Sequence, residues 1–259
     1  MTDQDQAAGP VLILGASSAI AEAYARICAA EGRALVLAGR SRERLEATAA
    51  DLLARGAAKA EIHVGDLADT QAIPEAWAAI EAAHGPLSEV LLSYGVLDDM
   101  DTLKAGGAAL AEHLNTNLVS AALWIEAAAG AMERAGRGRI VVIGSVAGDR
   151  GRQSNYPYGA AKAGLERYLE GLQHRFALAN RSSGARLSAH LVKPGFVDTP
   201  MTEGMAKGGP LWVGPEVIAR AMRRGVLAGR RVLYVPWFWR IIMMIIRAVP
   251  AFVLHRTKL

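Results

Sequence analysis

The feature that most constrains the fold is an alternation. Short unbroken apolar runs ("VLILG", "ALVLAG", "AEIHVGD", "SEVLLSYG", "GRIVVIGS", "ARLSAHLVKPG" and "RRVLYVP") are separated by stretches whose apolar residues recur at helical spacing. The runs do not alternate apolar with polar, so neither of their faces meets water. Strands of that kind belong in a parallel sheet covered by helices on both sides. Strand and helix taking turns along the chain predict an α/β fold: a Rossmann-type doubly wound parallel sheet of about seven strands, with an amphipathic helix at the C-terminus.

The helices carry their own punctuation. Gly32 closes "SAIAEAYARICAAEG", and Ser41 stands as N-cap before "RERLEATAADLLARG". "TQAIPEAWAAIEAAHG" is a third helix. One long helical region is predicted after the fourth strand, ending near Gly136, and "YGAAKAGLERYLEGLQHRFAL" and "GPEVIARAMRRGVLAG" are two more. No linker, repeat or low-complexity tract interrupts this order. The 259 residues therefore read as a flexible start (1–9), one Rossmann body (10–235) and an apolar, basic helix and tail (236–259).

Composition excludes several classes. With 52% hydrophobic and 21% charged residues the chain folds rather than staying disordered. Cys28 is the one cysteine, so there is no disulfide framework and a reducing compartment is expected. The opening "MTDQDQAAGP" lacks the basic and apolar regions of a secretion signal, which predicts a cytoplasmic location. The six histidines and one cysteine have no ligand spacing, so no metal site is expected.

Three stretches carry chemistry. In "LGASSAIAEA", directly after the first strand, a helix N-terminus offers free N–H groups to a phosphate. Gly15 can make the tight turn, and Ser17 and Ser18 can cap the helix or bind the phosphate. Ala19 and Ala21 stand where a glycine loop would have more glycines, and each adds only a methyl. Gly15, Ser17, Ser18, Ala19 and Ile20 are the expected diphosphate contacts. The second strand ends in "LVLAGRSRER", which offers Arg40 and no acid; an acid there would bind a ribose hydroxyl, whereas arginine suits a 2′-phosphate, so NADP(H) is favoured. Arg42 lies nearby, and Arg42 and Arg44 have a second reading as solvated helix charges, the stronger one for Arg44. The third stretch holds Tyr158 and Lys162 four apart on one helical face. A lysine there can lower the phenol's pKa and make Tyr158 a general acid or base. Tyr156 has no such partner, because position 160 is alanine, and Ser145 ends the fifth strand thirteen residues before Tyr158.

These elements together resemble the short-chain dehydrogenase/reductase family across residues 10–235. The resemblance implies that Ser145 polarises a carbonyl and Tyr158 supplies the proton. Lys162 would hold the nicotinamide ribose and tune Tyr158. Asn117 in "NTNLVSA" matches the family's fourth catalytic residue, with Asn115 as the competing choice, and would hold a water linking Lys162 to solvent. "GDL" looks like the adenine-contacting turn, giving Asp66 and Leu67. "SYGV" keeps Gly95 where the family usually has Asn-Asn-Ala-Gly. "KPGFVDTPM" looks like the stretch over the nicotinamide, giving Pro194, Gly195, Val197 and Thr199. A homo-oligomer is also implied.

Two segments narrow the substrate. "SVAGDRGRQSNYPYGAAKAG" and the terminal "YVPWFWRIIMMIIRAVP" resemble the branch of that family that reduces the 2-keto pentose of a polyprenyl phosphate, after a flavin-dependent oxidase has made the keto group. The alternatives are reduction of a long-chain keto-lipid, of the ketosphinganine or ketoacyl type, and a non-catalytic NADP-binding scaffold at a membrane. Net charge is +4, but no Asp or Glu follows Glu216, while nine Lys and Arg do. A basic end on an acidic body suits an anionic membrane surface. No recognised module surrounds those arginines, so nucleic acid is not an expected partner. As a helix, Trp237 to Val249 would be about 20 Å long, too short for a bilayer core of roughly 30 Å. It reads either as an in-plane lipid contact or as a subunit-interface helix. Asp98, Asp99 and Asp101 read as a solvated acidic loop.

Overall fold

The structure, a computed structural model, describes residues 9–205 and 207–257. Of the start expected to be flexible, residues 1–8 lie outside the described residues, as does Lys258. Gly9 itself is held, its carbonyl accepting from Ser88 Oγ (2.8 Å) and Arg33 Nη2 (3.2 Å).

All seven expected strands form and join one sheet: β1 (Val11–Leu14), β2 (Ala34–Gly39), β3 (Lys59–Val64), β4 (Glu89–Leu92), β5 (Arg137–Ile143), β6 (Arg186–Pro194) and β9 (Val232–Val235). Their order is β3-β2-β1-β4-β5-β6-β9, and every neighbouring pair is parallel. The order reverses between β1 and β4, so the chain leaves those two strands in opposite directions and a crevice opens beyond their carboxyl ends.

Helices cover both faces, as the unbroken apolar runs require. On one face lie α1 (Ala19–Ala30), α2 (Arg42–Ala54) and α8 (Pro215–Leu227), bringing Tyr24, Cys28, Leu45, Leu52, Ile218 and Met222 into the core. On the other lie α3 (Ile73–His84), α6 (Ser120–Ala135) and α7 (Tyr156–Ser183), with Trp77, Ile80, Trp124, Leu165, Leu169 and Phe176. Buried charges interrupt the apolar interior, Glu89 and Lys193 among them. Glu89 on β4 is buried, accepts from the Tyr24 hydroxyl and pairs with Arg139 (3.2 Å) and Arg223 (3.3 Å). Burial of a carboxylate is tolerated because each oxygen has a partner.

The structure departs from the sequence reading in three places. The long helix after β4 is broken into α4 (Met100–Lys104), α5 (Gly107–Leu114), a wider π-turn over Asn115–Val119, and α6. Gly106 and Gly107 cause the first break, with φ of +73° and +61°, outside the helical region. A parallel ribbon of β7 (Phe196–Val197) and β8 (Trp212–Val213) was not foreseen, because two residues carry no periodicity. The terminal helix is shorter than expected: α9 covers Trp239–Ala248, followed by α10 (Ala251–Leu254). It is also docked. Trp239 and Met243 are buried against Val146, beside Phe196 and Tyr234. Arg150 donates to the carbonyls of Arg247 and Val249 (both 3.1 Å), holding the C-terminal end of α9.

Candidate active site

The β1–α1 turn is built around one glycine. Gly15 has φ +84°, and a Cβ there would stand 2.7 Å from Cβ of Tyr94, so only glycine fits. Its N–H and that of Ala16 are used by the Ala38 carbonyl (3.0 and 3.1 Å). Ser18 is the N-cap of α1, its Oγ accepting from the Ala21 N–H and sharing a 3.1 Å bond with Ser93 Oγ. The first-turn N–H groups that follow have no acceptor within the helix. Gly15, Ser17, Ser18, Ala19 and Ile20 all line a cavity of about 710 Å³. Ala21 does not: it is fully buried in the core, so its methyl cannot hold a diphosphate away.

Arg40, exposed at the end of β2, lines the same cavity. Arg44 does too: it is exposed, as a solvated helix charge would be, and its guanidinium also crosses to the Ser17 carbonyl (2.9 Å) and lies 3.9 Å from Glu22. Arg42 instead pairs with Glu46 (3.4 Å). Asp66 and Leu67 follow β3 on the cavity wall. Asp66 Oδ1 accepts from the Ala68 N–H (3.1 Å), and the Leu67 carbonyl takes the Trp124 indole N–H (3.1 Å).

Ser145, Tyr158 and Lys162 meet at the carboxyl end of β5, all on the cavity wall. Ser145 Oγ accepts from the Ala147 N–H (3.0 Å), which leaves its own proton to donate, and the hydroxyl lies near enough to Tyr158 to act on the phenol's pKa. Lys162 is buried. Its Nζ donates to the Ile143 carbonyl (3.3 Å) and lies 5.7 Å from the centre of the Tyr158 ring. Burial pushes the Tyr158 phenol up to about 12, with the Ser145 bond opposing. The same desolvation pulls Lys162 down to about 8. The lysine was expected to draw the phenol toward neutrality; instead burial dominates, and only Ser145 opposes it.

The two asparagines separate clearly. Asn115 donates to the Ala68 carbonyl (2.8 Å), tying α5 to the turn after β3. Asn117 is buried behind the cavity wall, clasping Val96 through both its N–H and its carbonyl (3.0 Å each) and also donating to the His113 carbonyl. Gly95 is needed for that contact, since a Cβ there would lie 2.6 Å from Asn117 Oδ1. Pro194, Gly195, Val197 and Thr199 line the side opposite Asp66, where β6 runs into the ribbon. At Gly195 a Cβ would fall 1.8 Å from Trp239 Nε1, so α9 packs directly on this wall.

Sequence reasoning missed a histidine. His113 is buried on the cavity wall, its Nδ1 2.7 Å from Asp98, its Nε2 3.3 Å from Asn117, and its ring centre 6.3 Å from that of Tyr158. Asp98 is therefore not a free loop charge. Asp99 is the N-cap of α4, and Asp101 pairs with Lys104 (3.1 Å). A pair fifteen residues apart, brought together by a broken helix, has no signature along the chain.

A parallel doubly wound sheet with a crevice of this make-up belongs to an NAD(P)-dependent oxidoreductase. The glycine turn, the free helix end, the basic pair after β2 and the size of the cavity all fit a dinucleotide. The short chain dehydrogenase family model matches residues 10–208, and the chain belongs to that family. An uncharacterized oxidoreductase of Mycobacterium tuberculosis is 39% identical over 252 residues, covering 97% of this chain and 98% of the relative. Among solved structures, a metagenomic short-chain oxidoreductase in complex with NADP is 26% identical, with a TM-score of 0.71, covering 85% of this chain and 90% of the other. A short-chain dehydrogenase from Sphingobium yanoikuyae in complex with NADPH shares the fold, with a TM-score of 0.77 at 23% identity, covering 94% and 97%.

Proposed function

We propose that this protein is an NADPH-dependent ketone reductase acting on the 2-keto group of a polyprenyl-phosphate-linked pentose. The observation that carries the reading is the cluster of Ser145, Tyr158 and Lys162 on the wall of a cavity that also reaches Arg40 and Arg44. A 2′-phosphate is favoured by those two arginines and by the lack of an acid at the end of β2. The NADP in the metagenomic relative agrees with that preference.

The residues divide the work. Pro194, Gly195, Val197 and Thr199 would hold the nicotinamide of a bound NADPH, which would supply a hydride to the keto carbon. Ser145, whose Oγ accepts from the Ala147 N–H, turns its hydroxyl from Tyr158 to donate a hydrogen bond to the carbonyl oxygen and fixes its position. Tyr158 donates to the same oxygen and passes its proton to it as charge develops, leaving a secondary alcohol and a phenolate. The high phenol pKa keeps that proton in place at neutral pH, which suits reduction. Lys162, one turn along α7, offsets the phenolate charge and returns a proton from solvent. Asn117 acts by position: its side chain is committed to Val96 and fixes the turn at Gly95, which lies beside Lys162 Nζ.

The terminal helices extend the reading to a lipid surface. The outer face of α9 and α10, with Trp237 (71%) just before α9, exposes Ile241, Met244, Ile245 and Phe252 (65%), flanked by exposed Arg240, Arg247 and Arg256. Apolar groups with a basic fringe suit in-plane contact with anionic lipid. At ten residues α9 is about 15 Å long, and no helix among the described residues is long and apolar enough to cross a membrane. Trp239 links this face to the cavity wall, so a substrate could keep its polyprenyl tail in the bilayer while its sugar reaches Tyr158. A flavin-dependent oxidase that makes the keto sugar would be the functional partner.

The test is NADPH oxidation against a panel of polyprenylphosphoryl keto-pentoses and long-chain keto-lipids. Preference for the keto-pentose is expected. Preference for a ketosphinganine or ketoacyl compound would replace this substrate, and NADPH binding with no turnover of any ketone would leave a scaffold.

A further inference from the structure

Two polar side chains on the cavity wall have no hydrogen-bond partner among the described residues. Arg152 and Asn155 both lie on the segment between Ser145 and Tyr158, and both line the cavity. Arg152 is partly buried, and its Nε is enclosed without an acceptor; no carboxylate pairs with it among the described residues. Burial holds its pKa below the usual value, with no neighbouring charge to offset the effect. Its neighbour Arg150 shows the contrast, spending its guanidinium on two carbonyls of α9. Asn155 is the N-cap residue of α7 but does not cap it, and its Oδ1 is buried with nothing to accept from. A buried guanidinium Nε and a buried carbonyl oxygen, three residues apart on one cavity wall, are unfavourable unless a ligand supplies the missing acceptor and donor.

We propose that Arg152 and Asn155 form a subsite for a phosphate ester carried by the substrate, the guanidinium binding the phosphate and Asn155 accepting from a neighbouring hydroxyl. The inference rests on the ketone-reductase reading and adds the chemistry of substrate recognition. A carbohydrate phosphate matches both needs at once, since it brings an anion and hydroxyl donors a few bonds apart. The cofactor's 2′-phosphate belongs elsewhere. Arg40 and Arg44 follow β2, which is separated from β5 by β1 and β4, about 14 Å at the usual strand spacing. The N-terminus of α7, a 28-residue helix, adds its positive end to the subsite.

The experiment compares wild type with Arg152→Gln on three ketones: a keto-pentose with a phosphomonoester, the same sugar joined by a phosphodiester to a short prenyl chain, and the sugar without phosphate. In the wild type kcat/KM for a phosphorylated ketone should exceed that for the neutral sugar by about tenfold or more. In R152Q that ratio should fall toward one, through KM, and Arg152→Lys should recover part of it. Preference for the monoester would point to a soluble sugar phosphate, and preference for the diester to a lipid-linked one. An unchanged ratio in R152Q overturns the subsite, and so does tenfold weaker NADPH binding, which would make Arg152 a cofactor contact. If no ketone is reduced, the reductase reading fails separately. Calorimetric binding of the phosphorylated ketose to the NADPH-loaded protein then decides: tenfold weaker binding to R152Q supports the subsite, and equal binding overturns it.

Discussion

Tyr158 and Lys162 are one helical turn apart, and burial moves them in opposite directions, the phenol up and the ammonium down. The lysine's shift has a consequence for stability. In the unfolded chain it titrates near its ordinary 10.5, and folding lowers this to about 8. Between those values the unfolded chain holds more protons, so stability rises with pH across that window and is lowest below about 8. The cost of keeping the buried ammonium charged is roughly 3 kcal/mol. Lys162→Met should therefore melt at a higher temperature than wild type at pH 7, with the gap closing toward pH 10. Thermal melts without cofactor at the two pH values check this; a gap independent of pH would show that the gain comes from packing alone. At this scale the sequence was readable where neighbours are local. Ser145, Tyr158 and Lys162 sit on one strand end and one helix, so their spacing specifies their meeting. Arg44 reaching Ser17 and Asp98 reaching His113 depend on how distant segments fold together.

The elements were legible in proportion to their length and burial. The central strands of the large sheet are apolar runs because they are covered on both faces, whereas the edge strand β3, with Lys59, Glu61 and His63, is only partly buried. The Gly106–Gly107 break, the π-turn at Asn117 and the β7–β8 ribbon are short and set by tertiary contacts. For α9 the sequence showed an apolar helix with two arginines. It did not show which side would be covered, because Met243 and Met244 read alike: Met243 is buried, and Met244 is 56% exposed. The outward side carries a prediction. Ile241→Asp with Ile245→Asp changes two exposed residues and leaves Trp239 and Met243 seated. Flotation with liposomes containing anionic lipid should be lost in this double variant while its melting temperature is kept. Undiminished flotation would remove the lipid contact and leave this face free for another copy of the chain.

For the whole molecule, the sheet order sets one long cavity running from the end of β2, past the β1–β4 switch, to the end of β5 and the docked α9. Basic groups mark both ends, Arg40 and Arg44 at one and Arg152 at the other. Cofactor choice belongs to the first end. Arg40→Ala with Arg44→Ala should reduce the ratio of kcat/KM for NADPH over NADH by about 10- to 100-fold, the effect of losing charge-assisted bonds to a 2′-phosphate. Steady-state rates with the two cofactors measure it, and a ratio that does not move would place the phosphate elsewhere. Proton delivery belongs to the middle of the cavity. The most direct measurement there is turnover of a keto-pentose substrate by Tyr158→Phe, with NADPH binding followed in parallel by fluorescence titration. We expect kcat to fall about 10²- to 10⁴-fold while NADPH affinity stays within a few-fold of wild type; turnover surviving in Tyr158→Phe would contradict the assignment of the proton donor.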